Sequence, residues 1–252
     1  MLATKVGIPH PDADGAPPLS VDGIRRCVTG SLRRLGTDHV DLLYLHQPDR
    51  STPTTQTLSA LRELLDRGAI RAWGVSNFAA WQIAELRRAA ADHGVPDPVI
   101  AQQVYNVVAT RIDDEYAEYA QITGLPTVVY NPLAGGLLTG KHAPDENPDI
   151  GRFGASRLGG MYRDRYWNDT VFRAVTDLKA VADQAAMSTA ELALRWTIGR
   201  PVVDAVLIGG SRAQNIRANI AAIANGPLPA DLADAVTAIS TRVRGPMPPY
   251  NR

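Results

Sequence analysis

Polar side chains stand where the short apolar runs of this sequence stop. The run ends, taken in order, are Lys5, His46, Ser76 with Asn77, Gln102 followed by Tyr105 and Asn106, Tyr130 with Asn131, and Gly209-Gly210-Ser211-Arg212. In parallel α/β folds the working groups sit at the C-terminal ends of the strands, and a polar group at every such end exceeds what packing alone supplies. A lysine and a histidine handle charge and protons. Amides and hydroxyls supply directional hydrogen bonds, and glycines beside an arginine suit an anion. One motif is a decoy. Gly135–Lys141 reads GGLLTGK and satisfies G-x-x-x-x-G-K, but His142 and then APDENPD follow. A phosphate loop needs Ser or Thr there and a helix opening at once. The backbone of Gly135 and Gly136 is still free of side chains and able to approach a pyrophosphate. No G-x-G-x-x-G follows a strand, so a Rossmann dinucleotide site is not supported.

The elements that must position these residues are readable. Unbroken apolar runs at 2–6, 40–46, 70–75, 99–104, 127–130 and 205–208 predict strands covered on both faces. Between them the spacing predicts helices. One runs from a Ser20 cap to Gly36, with Arg33 and Arg34 in its last turn. Another opens at Thr54 or Thr55 and closes at Gly68, and others lie near 79–93, 112–123, 169–186, 188–199, 212–225 and 229–243. Strand–helix–strand repetition implies a parallel sheet, either doubly wound or closed into a barrel. The fold class is α/β; six strands are visible where a closed (β/α)8 TIM-type barrel needs eight, so the spacing alone leaves both arrangements open. The segment 131–168 reads as a long functional loop rich in Gly, Pro and charge. No linker interrupts the chain, so residues 1–252 are expected to form a single domain.

Composition narrows the function classes. Lys+Arg and Asp+Glu each number 26, so no global field points to nucleic acid or a membrane surface as partner. Cys27 is the only cysteine and falls inside a helical pattern, which predicts a buried core thiol in a reducing, cytoplasmic setting. No apolar run reaches membrane-spanning length. His10, His39, His93 and His142 have no metal-ligand spacing and read as surface residues. No metal site is expected.

Several blocks of the sequence are specific. LYLHQPDRSTP, GVSNFAAWQIAEL, YNPLAGGLLTGK, GRF, MYRDRYW, ALRW, the IGGS…N stretch and PPYNR occur in unbroken order. Together they resemble the aldo-keto reductase superfamily, close to its aflatoxin-aldehyde and succinic-semialdehyde reductase branch. The resemblance implies a (β/α)8 barrel, NADPH as hydride donor (NADP as its product) and reduction of a small aldehyde. Ser76, Asn77 and Gln102 then match the set that holds the nicotinamide carboxamide, and Tyr130 a position stacked on the nicotinamide. The stretch from Asn131 through Leu133, Gly135 and Gly136 to Lys141 matches the loop over the pyrophosphate, with Arg152 of GRF nearby. Ser211, Arg212, Asn215 and Asn219 match the adenosine and 2′-phosphate site, with Asn215 standing where family members often have Gln. Tyr162, Arg165 and Arg252 match substrate-contacting positions. Two guanidiniums and a phenol suit a carboxylate, so a short semialdehyde acid is the expected substrate.

The family works with Asp, Tyr, Lys and His. Lys5 in ATK resembles the lysine, and His46, ending VDLLYLH, resembles the histidine that orients the carbonyl. The Asp and Tyr belong to a D-x-A-x-x-Y stretch after the second barrel strand, and this sequence contains no such stretch. By resemblance it begins at the equivalent of strand 3 and lacks the first two β/α units. Tyr44 shares the face of His46 one layer deeper and reads as packing. Loss of a positioned general acid costs roughly 10²–10⁴ in rate. Two expectations follow. Either the sequence is internal to a longer NADPH-dependent aldehyde reductase, or it is a catalytically impaired NADPH-binding or interaction protein whose uncovered sheet edges favour association, a homodimer included.

Overall fold

The computed structural model describes residues 1–149, 151–155 and 158–245. Strands β1 (Ala3–Val6), β2 (Val40–Leu45), β3 (Ile70–Ser76), β4 (Ala101–Val104), β5 (Thr127–Tyr130) and β6 (Ala205–Val206) follow one another in the sheet in chain order. β1 to β4 pair in parallel, as do β5 and β6. The β4–β5 step keeps the same direction, since Ala101 N–H donates to Pro126 and Tyr105 N–H to Tyr130. This is the strand order of consecutive (β/α) units, as the apolar runs predict. The helices are α1 (Val21–Leu35), α2 (Thr54–Asp66), α3 (Ala80–Asp92), α4 (Tyr116–Thr123), α5 (Gly159–Tyr166), α6 (Asp169–Gln184), α7 (Thr189–Ile198), α8 (Ala213–Ala224) and α9 (Ala230–Arg244).

Contacts group the chain into two compact units. The first holds Met1–Gln103 with Glu118–Thr127, and the second holds Val104–Ala117 with the chain from Val128 onward. In the first unit the sheet core is Val40, Leu42, Leu43 and Leu45 of β2 with Ile70, Trp73 and Val75 of β3, all 4% exposed or less. α1 covers it with Ile24 and Val28, and α2 with Leu58, Leu61 and Leu64. α1 starts where Ser20 Oγ accepts from Gly23 N–H at 3.1 Å and stops at Gly36, whose φ of 66° is left-handed. α2 lacks the expected threonine cap: Thr54 is its first residue, Pro53 precedes it, and no side chain closes its first turn. Proline at that boundary presets the entry without a hydroxyl.

Asp49 anchors the segment that follows β2. Its carboxylate accepts from Leu19 N–H at 3.3 Å, Ser51 N–H at 2.9 Å and Thr52 Oγ1 at 2.7 Å. Burial pushes this carboxyl up, but the hydrogen bonds outweigh it and bring its pKa down to about 2.

The second unit is built around an apolar cluster that includes Tyr105, Val129, Leu137, Leu138, Phe153, Leu178, Leu192, Trp196 and Val236. Tyr105 stacks on Trp196 with centroids 5.8 Å apart, and its hydroxyl donates to Asp113 at 3.0 Å. The segment expected as one long loop is more ordered than its composition suggests. It contains a 3₁₀ turn at Ala134–Thr139 and the helix α5. Phe153 is the reason. Only 1% exposed, it meets Tyr162 edge-on at 6.1 Å, Trp167 at 4.9 Å and His142 at 5.4 Å. His142 is thus a packed residue rather than a surface one: its side chain is 14% exposed between Phe153 and Trp167. His10 and His93 are exposed, as expected.

Candidate active site

In the first unit, four adjacent strands bring the predicted residues together. Lys5 lies on β1, His46 directly follows β2, Ser76 ends β3 with Asn77 behind it, and Gln102 lies on β4. Asn77 adopts a left-handed φ of 60°, a conformation that asparagine tolerates better than most residues. That turn sends its Nδ2 back to the backbone carbonyl of His46 at 2.9 Å and to Ser76 Oγ at 3.1 Å. Its backbone N–H donates to Gln102 O at 3.1 Å, and His46 N–H donates to Val6 O at 2.7 Å. The ends of all four strands are therefore laced by hydrogen bonds. Ser76 and Gln102 are buried, at 1% and 4% exposed.

The electrostatics of this cluster suit a neutral imidazole beside a cation. Burial lowers the Lys5 pKa from the ordinary lysine value. Burial first, and the Lys5 charge second, lower that of His46. The Lys5 ammonium also sits 5.5 Å from the centroid of the Tyr44 ring, and Tyr44 is buried, as its packing role predicts. A histidine that protonates less readily when folded stabilises the chain fully above its unfolded pKa of about 6.5, and that stability is lost as pH falls below it. The urea midpoint is therefore expected to fall between pH 7 and pH 5 more steeply in the native chain than in His46→Gln. Parallel profiles would sink this assignment.

In the second unit a different set converges on Tyr166. This tyrosine is 1% exposed, and its hydroxyl accepts from Asn131 Nδ2 at 2.9 Å and from Asn106 Nδ2 at 3.3 Å. Burial opposes the charge of Arg165, but hydrogen bonds and charge interactions with Tyr166 and Tyr130 outweigh it and raise the guanidinium's pKa. Burial raises the Tyr130 phenol, and Arg165 partly offsets this. Asn131 is left-handed like Asn77, with φ 62°, and its Oδ1 accepts from Gly135 N–H at 2.7 Å. Gly136 N–H donates to Leu133 O at 2.8 Å. The two glycine amides offered by the sequence to a pyrophosphate are thus engaged within their own loop. What remains for a ligand is the bare face of Gly136, where an added Cβ would meet nothing within 4 Å.

The remaining predicted positions are more dispersed. Arg152 lies 5.5 Å over the ring of Tyr162, and a Cβ on Gly135 would come 2.7 Å from the same ring. Lys141 is exposed, and the residues after it form no helix, which agrees with rejecting the phosphate-loop motif. Ser211, Arg212 and Asn215 are exposed at the N-terminus of α8, with Arg212 as its cap residue, whereas Asn219 is 9% exposed. Arg252 lies outside the described residues. Tyr166 was not singled out from sequence; its only signal was its place beside Arg165 in MYRDRYW. Among the described residues no group of His, Cys, Asp and Glu could hold a metal ion, and no helix is long and apolar enough to cross a membrane.

The sequence profile of the Aldo/keto reductase family matches residues 1–241. An aldo-keto reductase of Pseudocercospora fijiensis is 32% identical over 236 residues, covering 91% of this chain and 80% of the relative. Human aldo-keto reductase family 7 member A3 is 36% identical over 229 residues, which is 86% of this chain and 69% of that protein. Human aflatoxin B1 aldehyde reductase member 2 is 35% identical over 229 residues, and there the match spans 64% of the relative's length. A profile covering nearly the whole chain, a parallel strand order and polar strand ends agree: the chain belongs to the aldo/keto reductase family of oxidoreductases.

Proposed function

We propose that this chain serves NADPH-dependent reduction of a small aldehyde, preferably one carrying a carboxylate. The observation that carries the reading is the laced cluster of Lys5, His46, Ser76, Asn77 and Gln102 at the ends of four adjacent strands. Its donor set fits a nicotinamide: two amides and a hydroxyl, two of them buried, match a carboxamide that both donates and accepts. Bound NADPH would supply the hydride. Ser76, Asn77 and Gln102 would fix which ring face meets the substrate, since hydride transfer demands orientation. The neutral His46 imidazole offers an N–H to a carbonyl oxygen, and the Lys5 ammonium beside it favours negative charge developing there. Arg212 at the start of α8 suits a 2′-phosphate, which supports NADPH over NADH.

Arg165 is the candidate grip for the carboxylate, because its charge is held up by two phenols and its side chain reaches solvent. Titrating the purified 252-residue chain with NADPH, followed by cofactor fluorescence, tests the reading. Saturable binding that weakens at least tenfold in Asn77→Ala is expected, and no binding would end it. Aldehyde added next separates the two classes of function. Turnover supports a reductase; binding without turnover by this chain favours a cofactor-binding protein. Given turnover, Arg165→Met is expected to raise KM for a semialdehyde acid about tenfold while leaving a neutral aldehyde nearly unaffected.

A further inference from the structure

The second unit carries a groove that no step of the proposed reduction uses. It runs between the loop 140–144 and α6 and holds about 490 Å³. That lies within the range of small-molecule sites, roughly 300–1,000 Å³. Only Gly140 among its lining residues belongs to the stretch assigned to the cofactor phosphates. The floor is apolar, with Phe172 at 7% and Val175 at 5% exposed. The opposite wall is fixed before any ligand arrives. His142 is packed against Phe153 and Trp167, with its Nδ1 3.2 Å from Glu146 Oε2. Trp167 Nε1 donates to the Pro144 carbonyl at 3.0 Å, and its ring meets Phe172 edge-on at 5.1 Å. One tryptophan therefore ties the loop wall to the helix wall.

The rim is cationic. Arg173 and Lys179 line the groove and are exposed, and among the described residues neither makes an ion pair or a side-chain hydrogen bond. Asp177, one turn from Arg173, is already held by Arg242 at 2.6 Å. Asp169 lines the groove at the start of α6, so an anion is favoured on the far side of Arg173, toward Lys179. The Thr176 hydroxyl donates to the Phe172 carbonyl at 3.1 Å, which leaves the two cations as the donors. We propose that this groove is a binding site for an aryl carboxylate, with its flat body between Phe172 and Pro144 and its carboxylate on Arg173 and Lys179. The ring surfaces of Phe172 and His142 favour an aromatic body over an alkyl chain. The guanidinium fork matches a carboxylate, and the lysine adds a second charge. The proposal does not rest on the cofactor reading, because the strand-end cluster supplies none of the lining residues.

The test is calorimetric titration of the purified 252-residue chain with 2-naphthoate, with neutral 2-naphthylmethanol and inorganic phosphate as comparison probes. Saturable binding of 2-naphthoate is expected, at least tenfold tighter than that of either comparison probe. The double variant Arg173→Gln/Lys179→Gln is expected to weaken it at least tenfold. Arg165→Met, which removes the candidate carboxylate grip of the reductase site, should leave it unchanged. Both replaced groove side chains are exposed, so the melting temperature is the control for folding. If the double variant melts early, Arg173→Gln alone decides, with a loss of at least about threefold expected. Absence of saturation overturns the proposal, and so does equal binding by the double variant or a loss found in Arg165→Met instead. Equal affinity for 2-naphthylmethanol overturns it by showing the cations idle, and equal affinity for phosphate by showing the apolar floor idle.

Discussion

Replacing Tyr166 by phenylalanine is expected to lower the stability of the chain by about 2–4 kcal/mol. The substitution removes a single oxygen and leaves the ring in its cavity, so the loss would not come from packing. It comes from the groups that lose their acceptor. Asn131 Nδ2 and Asn106 Nδ2 both donate to that hydroxyl; Asn106 is fully buried, and of its amide's two acceptors only the Asn131 carbonyl, at 3.0 Å, would remain. A buried donor left without a partner costs about 1–3 kcal/mol, far more than the net value of an ordinary hydrogen bond. Tyr162→Phe is the matched control. That ring is also buried, at 8% exposed, and its contacts with Phe153 and Tyr166 run through the ring face and edge. It should change stability by less than about 0.5 kcal/mol. Urea unfolding of both variants decides the matter, and equal midpoints would show that the Tyr166 hydroxyl organises nothing.

Gly135→Ala should cost about 2–4 kcal/mol, because two penalties fall on one residue. Its φ of 71° is left-handed, which costs an L-residue roughly 1–2 kcal/mol. The new Cβ would also lie 2.7 Å and 2.9 Å from two carbons of the Tyr162 ring and 3.3 Å from Phe153. The ring cannot retreat freely, since Phe153 meets it edge-on and Arg152 lies over it. Gly36→Ala separates the two penalties. Its φ of 66° is nearly the same, but nothing lies within 4 Å of the added carbon, so only the backbone term of roughly 1–2 kcal/mol applies. If thermal unfolding finds the two variants equally destabilised, the contact with Tyr162 is softer than its geometry implies. Because Gly135 also donates to Asn131, the loop that is the candidate cradle for the cofactor phosphates should move with it.

The framework was legible because its signals are local. Unbroken runs such as VDLLYL and IRAWGV become buried strands, and Ser20 with Gly36 bounds α1 within a residue of the expectation. The left-handed turns at Asn77 and Asn131 were not foreseen, although asparagine in both places is the residue type that permits them. α5 escaped for a physical reason. GGMYRDRY opens with two glycines and shows no apolar period, so nothing local asks for a helix. Its order comes from contacts distant in sequence, such as Tyr162 on Phe153 and Arg163 Nε on the carbonyl of Phe153 at 2.7 Å. The same holds for the site. Residue types at strand ends pointed to Lys5, His46, Ser76, Asn77 and Gln102, but the hub role of Tyr166 depends on contacts distant in sequence, which composition does not encode.

Cys27 gives the chain an internal clock. It is the only thiol, it sits on α1 at 7% exposed, and burial raises its pKa, so the reactive thiolate is both scarce and shielded. A thiol reagent then modifies the chain only during the moments when α1 lifts from the sheet. The labelling rate, divided by that of a free thiol under the same conditions, reads out the opening equilibrium of this unit without denaturant or mutation. Slower labelling in the presence of NADPH would report ligand binding through the mobility of a helix rather than through the cofactor's own signal.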